Sequence, residues 1–380
     1  MPVILSIMRF LEISHHHFVQ EAYPAETDFL DTSFVHFQGR RISERLKILA
    51  GQFTQLGHVA FRARYDAVFC RYMGRFIYRT DSPLPINALR LIMGWFVQLC
   101  VWMQVRRGAR LAVIDHSDEY AIDHRDNFFL KLCHTYFKRE LPQNVWNVFM
   151  RVHPPHREFV LLSQDPRRRR EICKFAPVSL GIPAVAVARI EEAIGHVPGE
   201  TTRDIDVFYA GTIDHSTVRV AGLAQLEKLR QRGYRVEVFT GRLPFEEFVR
   251  KMNRAWLVWS PEGGGWDCIR HWEVCAAGSV PLLNKPGVRR YQPLLPGVHC
   301  VEYDVEGDDL CEQVERALSD RPKLAGIAAQ AREHMLRFHT NDKLGRYMVD
   351  RLLHGEDKDH DIWELARSAS ESLERGRTLP

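Results

Sequence analysis

The chain has 380 residues, of which 45% are hydrophobic and 26% charged, and its formal net charge is +4. This length suits two globular domains, and the composition excludes a disordered, collagen-like or coiled-coil chain. The small net charge gives no reason to expect a nucleic-acid partner. The eight cysteines are scattered without a CxxC pair, and the N-terminal run MPVILSIMRFLEIS lacks a basic leader. Both features predict a cytoplasmic protein with reduced thiols.

The first part of the chain, residues 1–165, combines helical patterns with short apolar runs. Residues 66–70 and 110–115 predict buried parallel strands, and the N-terminal apolar run predicts a buried strand or helix. The second strand ends in Asp115 and passes into the polar turn DHSDEY. Because ligands bind at the carboxyl ends of strands in open α/β sheets, we expect functional residues in this turn.

The most apolar stretch is residues 89–105, LRLIMGWFVQLCVWMQV. A glycine and two glutamines interrupt it, and it is shorter than the roughly 20 residues that a membrane span needs. It therefore predicts a buried or surface-docked helix. The arginines that follow, Arg106, Arg107 and Arg110, leave a peripheral membrane contact as an alternative.

Residues 166–203 predict a connection between two domains, because they contain four consecutive arginines and several prolines and glycines. The arginines at 167–170 could bind nucleic acid or lipid. No aromatic residues alternate with them, which favours a solvated loop or the start of a helix.

From residue 204 onward, strand and helix patterns alternate regularly. Strands are predicted over residues 206–210, 234–240, 255–260, 280–284 and 299–303, and helices over 220–232, 244–253, 268–277, 308–318, 322–338 and 342–354. Gly233 and Gly278 are predicted helix ends, and Asp267 is a predicted N-cap. This alternation predicts a parallel sheet with helices on both faces.

The segment with the clearest chemical pattern is residues 260–284, SPEGGGWDCIRHWEVCAAGSVPLLN. A buried strand leads into Gly263, Gly264 and Gly265, which let the backbone approach a ligand closely. A helix N-terminus follows, and its free N–H groups favour an anion such as phosphate. Arg270 lies in the first turn of that helix, where a cation opposes the helix dipole, so an anionic ligand would explain it.

Arg270 and Glu273 are three residues apart and share one face of this helix. Glu273 could accept hydrogen bonds from a pair of ribose hydroxyls. The alternative is that the two residues form an exposed ion pair.

The glycine-rich loop, the R-x-W-E sequence and the A-A-G-x-V-P-L sequence resemble the donor-binding core of nucleotide-sugar glycosyltransferases of the GT-B type. The resemblance covers about residues 204–350 and is closest to group-one-like transferases related to CgeB and the exostosins. The recurring pattern R-x-[FWY]-E-x-x-x-x-G-x-[VI]-P falls on Arg270, Trp272, Glu273, Gly278, Val280 and Pro281.

The resemblance implies an α/β fold with two Rossmann-like domains facing across a cleft. Residues 1–165 would form the acceptor-side domain, 166–203 the linker, 204–353 the nucleotide-sugar-binding domain and 354–380 a polar tail.

The same resemblance implies roles for individual residues. Glu273 would hold the donor ribose, while Arg270 and the backbone of the three loop glycines would face the diphosphate or the sugar. Gly211 and Thr212, at the end of the domain's first strand, would line the cleft. Arg219 is a second candidate for the diphosphate, or else a surface residue.

One position departs from the family pattern. Many retaining members carry a glutamate eight residues before the ribose-binding one, where this chain has Gly265. The nearest acid upstream, Glu262, lies eleven residues before Glu273. The choice between inversion and retention is therefore left open. Asp267 could take over the sugar contact, or it could cap the helix.

Glycosyl transfer needs stabilisation of the leaving diphosphate, exclusion of water and, in an inverting reaction, a base for the acceptor hydroxyl. The base would come from the first domain, and Asp115, His116 and Asp118 are the candidates. Alternatively, Asp118 or the serine before it caps a helix and His116 is a passive surface residue. Lys138 and Arg139 could clamp an acidic acceptor or the donor phosphates, or form a solvated basic patch.

The 18 histidines do not form a recognisable metal motif. Three consecutive histidines at 15–17 cannot converge on one ion, and no HExxH sequence or strand-following Asp-x-Asp sequence occurs. We expect no metal and no cofactor. The expected partners are a nucleotide-diphosphate sugar as donor and a glycan, lipid-linked or protein acceptor.

Two other functions are compatible with the pattern. The chain could be a catalytically inactive GT-B-like partner in a polysaccharide or coat assembly, although the presence of both Arg270 and Glu273 argues against this. It could also be a basic module that binds membranes or nucleic acid through residues 105–110 and 167–170. Such binding would weaken steeply with salt.

Overall fold

The structure is a computed structural model of the chain. It describes residues 8–31, 42–71, 84–122, 126–149, 168–195, 202–213 and 216–355. Arg167, at the start of the arginine run, and residues 356–380 of the polar tail lie outside the described residues.

Within these ranges, a first sheet of six parallel strands is formed in the order β2-β1-β3-β4-β5-β6. The strands are β1 (Phe10–Ser14), β2 (Thr27–Asp31), β3 (Ala67–Arg71), β4 (Arg110–Asp115), β5 (Thr135–Lys138) and β6 (Phe175–Pro177). The helices of this part are α1 (Phe18–Ala22), α2 (Ile42–Phe61), α3 (Leu84–Arg106), α4 (Asn127–Leu132) and α5 (Arg169–Ile172). The strands predicted over 66–70 and 110–115 are confirmed as β3 and β4, and the N-terminal apolar run contains β1.

A second sheet of five parallel strands has the order β11-β10-β9-β7-β8 in the described part of the chain. Its strands are β7 (Ile205–Ala210), β8 (Val236–Phe239), β9 (Ala255–Trp259), β10 (Val280–Asn284) and β11 (Val301–Tyr303). The helices are α6 (Ala184–Ile194), α7 (Thr217–Gln231), α8 (Phe245–Arg254), α9 (Ile269–Ala276), α10 (Leu310–Leu318), α11 (Arg321–Phe338) and α12 (Asn341–His354). Each strand and helix predicted from residue 204 onward is confirmed, with ends that differ by a few residues.

The predicted helix end at Gly278 is confirmed, whereas the predicted N-cap at Asp267 is not. Gly278 follows α9 with a φ of 74°, the left-handed conformation that favours glycine. The N-cap prediction for Asp267 is wrong, because α9 begins at Ile269 with Cys268 as its N-cap. The carboxylate of Asp267 instead accepts hydrogen bonds from the Leu180 backbone N–H at 2.5 Å and the Trp272 indole N–H at 3.2 Å. The carboxylate therefore makes these two contacts and does not cap the helix.

The chain crosses between the two sheets twice, and the crossings are hydrogen-bonded to each other. The Ile182 N–H donates to the His339 carbonyl at 2.9 Å, and the Asn341 N–H donates to the Ile182 carbonyl at 3.1 Å. The segment predicted as a linker, residues 166–203, contains β6 of the first sheet and α6, which packs against helices of the second.

Helix α12 returns to the first sheet and packs on α1. This contact needs a glycine, because a Cβ on Gly345 would overlap the carbonyl of Phe18. The Tyr347 hydroxyl donates to the Pro177 carbonyl at 2.9 Å. The C-terminal helix therefore anchors the second half of the chain to the first.

The carboxyl ends of the two sheets face each other. Glu140, which follows β5, accepts hydrogen bonds from the backbone N–H groups of Trp266 and Asp267, in the loop after β9. The predicted fold class, two Rossmann-like domains facing across a cleft, is confirmed. No helix in the described ranges is long and apolar enough to cross a membrane.

Candidate active site

The glycine-rich loop lies where the two domains meet, against side chains of the first domain. A Cβ on Gly264 would come within 3.0 Å of Asp118, and a Cβ on Gly265 within 2.6 Å of Glu140. Glycine is required here because no side chain would fit between the loop and the opposite domain. Gly264 itself is exposed, and Gly263 and Gly265 are half-buried.

Glu140 is a buried carboxylate that the sequence analysis did not identify. It accepts hydrogen bonds of 3.0 Å from the N–H groups of both Trp266 and Asp267, and Arg139 lies 3.3 Å away. Burial raises its pKa to about 7, against the opposing effect of Arg139. Because this carboxylate already occupies two N–H groups next to the loop, these two groups are not free to bind a ligand.

Arg270 has buried donor groups that no acceptor in the described part of the chain satisfies. Its Nε and Nη1 are buried and have no hydrogen-bond partner, while its guanidinium lies 5.1 Å from the centre of the Tyr209 ring. A Cβ on Gly211 would overlap Nη2 of this guanidinium. At the start of α9, the N–H groups of Ile269 and Arg270 have no acceptor within the helix. A buried, unpaired cation is costly, and a bound anion removes that cost.

Glu273 lies one helical turn beyond Arg270. Burial raises its pKa to about 7, although the Arg270 guanidinium acts in the opposite direction. Neither side chain is exposed, and both are described without an ion pair between them, so the alternative of an exposed Arg270–Glu273 pair is wrong. The carboxylate has no hydrogen-bond partner among the described residues and can accept from a ligand.

Arg219 joins the two loops that follow β7 and β9. It is buried, with 7% of its surface exposed, and it donates to the carbonyls of Glu262 at 2.9 Å and Thr212 at 2.8 Å. A Cβ on Gly263 would lie 2.7 Å from its Nη2. The surface-residue alternative is therefore wrong, and the side chain fixes the loops around the Arg270 guanidinium.

On the first domain, Asp115 has its hydrogen-bonding capacity occupied. Its carboxylate forms a buried ion pair with Lys138 at 2.8 Å and accepts from the Tyr136 hydroxyl at 3.1 Å. The backbone and hydroxyl of Ser117 also donate to it. Lys138 and Asp115 are both buried, so neither side chain can reach an acceptor substrate. The pair instead holds the turn after β4 in place.

His116 differs from Asp115 because its side chain makes no hydrogen bond to a described residue. It is 9% exposed, so the passive-surface alternative is wrong, and neither ring nitrogen has a hydrogen-bond partner. Burial, followed by the nearby His16 and Arg139, holds the pKa of this imidazole well below its usual value, so it is neutral at pH 7. Asp118 is exposed and forms an ion pair with Arg139.

His116 and Asp118 line an open cavity of about 440 Å³ at the loops of the first sheet, within the volume range of ligand sites. The other lining residues are His15, His16, Arg71, Ser117, Glu119, Arg139 and Leu180. Two of the three predicted base candidates therefore line this cavity, and Asp115 does not.

In the part of the chain that the structure describes, no group of three or more His, Cys, Asp or Glu residues could hold a metal ion. Independence from metals stays a prediction.

Comparisons with known proteins agree with this geometry. Residues 210–350 match a family model described as glycosyl transferase-like. The structure is similar to a glycosyltransferase from Rickettsia africae, with a TM-score of 0.52 and 9% identity over 92% of this chain and 100% of that one. It is also similar to an alpha-glucosyltransferase in complex with UDP, with a TM-score of 0.50 and 9% identity over 91% of this chain and 99% of the other.

No curated protein matches the sequence. At such low identities the structural likeness establishes the fold, and the relation to CgeB and the exostosins stays a prediction. Residues 210–350 are thus similar to a glycosyl transferase-like family, and the chain as a whole has the two-domain GT-B fold.

Proposed function

We propose that the protein transfers a sugar from a nucleoside diphosphate sugar to a hydroxyl group of a glycan, lipid-linked or protein acceptor. The observation that carries this proposal is the half-buried guanidinium of Arg270 beside Gly211, whose buried Nε and Nη1 have no hydrogen-bond partner within the described ranges. Such a cation, at a helix N-terminus with free N–H groups, is suited to the charge that develops on a leaving diphosphate.

The donor would bind along the exposed side of α9. The diphosphate contacts the Arg270 guanidinium and the N–H group of Ile269, and the ribose hydroxyls donate to the Glu273 carboxylate one turn later. Gly211 leaves room for the phosphate because it has no side chain. UDP in the structurally similar alpha-glucosyltransferase is the same class of ligand.

The acceptor would bind in the cavity beside His116. A neutral imidazole with an unpartnered nitrogen can take the proton of an acceptor hydroxyl as that oxygen attacks the sugar. The buried Asp115–Lys138 pair holds the turn that carries the imidazole. The contact of Glu140 with the loop after β9 brings the domains together and helps to exclude water.

A thermal-shift screen of nucleoside diphosphates and their sugars tests the proposal. A ligand at a hundred times its Kd stabilises the fold by about 2.7 kcal/mol, which a melting curve detects. We expect at least one nucleotide to raise the melting temperature of the wild type and not of Arg270→Gln. Arg242→Gln, which changes an exposed arginine, should respond like the wild type.

No shift with any nucleotide would overturn the proposal. Binding without hydrolysis or transfer of the donor sugar would favour the inactive-partner alternative. The cytoplasmic location stays a prediction.

A further inference from the structure

Helix α3 is apolar on its exposed side as well as on its buried side. Its buried side, which includes Met93, Val97 and Cys100, packs into the core of the first sheet. Six large apolar side chains on the other side are exposed to between 41% and 74% of their surface: Leu91, Ile92, Trp95, Phe96, Leu99 and Trp102. We call these six residues the α3 face.

The α3 face is continuous. Successive residues of an α-helix are turned by about 100°, so positions 91, 95 and 102 lie in one row and 92, 96 and 99 in the adjacent row. At about 1.5 Å per residue the face is about 16 Å long. A surface helix of a globular protein normally places polar residues there. Trp95, at the centre of the face, has 74% of its surface exposed, and no described residue covers it.

The charged side chains that the structure describes at the C-terminal end of the α3 face are arginines. Helix α3 contains no acidic residue. Arg106, which is exposed, lies over the Trp102 ring with 5.5 Å between its guanidinium carbon and the ring centre. Arg107 donates to the Ala60 carbonyl at 2.6 Å, which brings the end of α2 and the 65% exposed Phe61 to the same end of the face.

We propose that the α3 face docks on the surface of an anionic lipid bilayer, with the helix lying in the interfacial plane. Tryptophan suits this position because its apolar ring and its N–H group match the two sides of the interface. Arginines at the rim add attraction to anionic lipid headgroups. The proposed contact is peripheral.

The features of the α3 face fit a bilayer better than a second copy of the chain. A two-fold interface apposes the same patch from both copies. Because the face has no acidic residue, the Arg106 side chains would find no counter-charge there. An anionic bilayer offers both an apolar interior and negative headgroups. Membrane docking also favours a lipid-linked acceptor, a consequence that rests on the proposed function.

Flotation with lipid vesicles tests the docking. We expect the full chain to float with vesicles that contain phosphatidylglycerol, and to float less at high salt or with phosphatidylcholine alone. The double variant Trp95→Ser/Trp102→Ser should bind at least about tenfold more weakly, because two interfacial anchors are lost. Val185→Ser changes a 68% exposed apolar residue on α6 and should bind like the wild type.

Two results would overturn the proposal. One is the absence of flotation with any vesicle. The other is a dimer in light scattering that the double variant dissociates, without vesicle binding by the wild type. The nucleotide thermal shift of the double variant separates the two proposals, since an unchanged shift with lost flotation leaves donor binding intact. If no nucleotide raises the melting temperature of the wild type, only the proposed donor site is refuted.

Discussion

The substitution Gly211→Ala tests the donor site by changing the shape of its lining. The φ of Gly211 is 159°, a backbone conformation that L side chains rarely adopt, so alanine adds some backbone strain. The new Cβ would also overlap Nη2 of Arg270 and lie 3.2 Å from the Tyr209 hydroxyl. Because the guanidinium is the far end of a flexible side chain, it can move aside, and we expect the free energy of unfolding to fall by about 1–3 kcal/mol from the backbone strain.

The cost should appear in donor binding. A hydrogen bond to a charged group contributes about 1.5–3 kcal/mol, and arginine binds phosphate through two such bonds. Loss of one bond and weakening of the second would cost about 2–4 kcal/mol, which raises the donor Kd by about 30- to 900-fold.

Isothermal titration of the donor nucleotide measures this effect. Gly241→Ala is a matched control, because Gly241 follows the neighbouring strand β8 and a Cβ there would have no atom within 4 Å. Its Kd should equal that of the wild type. If Gly211→Ala binds the nucleotide within twofold of the wild type, the phosphate does not contact Arg270 and the reasoning fails.

Three further predictions concern single groups in the cleft. Since burial raises the pKa of Glu273 to about 7, its carboxylate is mostly protonated at pH 6 and mostly ionised at pH 8, so donor affinity should rise about tenfold between them. Glu273→Gln should lose that rise and retain only the titration of the nucleotide, and an equal rise in both proteins would contradict the assignment. His116→Gln should lower kcat by about 100-fold or more and leave the donor Kd unchanged, whereas full activity would remove His116 as the base. Glu140→Ala should speed hydrogen exchange at the Trp266 and Asp267 amides by about tenfold or more, because both lose their acceptor. The exposed Glu119→Ala is the control, and unchanged protection in Glu140→Ala would contradict the domain contact.

The second sheet was predictable because its information is local. Each strand is a short apolar run, each helix is bounded by residues such as Gly278, and the alternation of the two implies parallel pairing. The first sheet was harder to predict, because β5 and β6 have only four and three residues. Unlike the equally short β8 and β11, they do not alternate with long helices. Runs that short carry little periodicity.

The residues of the candidate site also differ in whether local sequence patterns could predict them. Arg270 and Glu273 could be predicted from the order of residues in one segment. Glu140 could not, because its contact joins residues 126 positions apart, although its place just after a strand was a signal. The sequence also could not distinguish Asp115 from His116, since only the folded chain shows that Lys138 pairs with one and leaves the other without a partner.

The failed N-cap prediction for Asp267 has the same origin. Capping residues are predicted from their position before a helix, which assumes that the side chain has no stronger partner. In the folded chain the Leu180 N–H and the Trp272 indole compete successfully for this carboxylate. Local rules fail where two domains meet, because the contacts there are long-range.

The proposed donor site binds a sugar nucleotide through contacts of its diphosphate with Arg270 and the N-terminus of α9. Calorimetric titration of the best nucleoside diphosphate from the screen, beside its nucleoside without phosphates, measures what these contacts contribute. We expect the wild type to bind the diphosphate at least about 100-fold more tightly than the nucleoside, because two charge-assisted hydrogen bonds are gained. We also expect this difference to fall to less than about tenfold in Arg270→Gln. An equal preference for the diphosphate in both proteins would refute the proposed site.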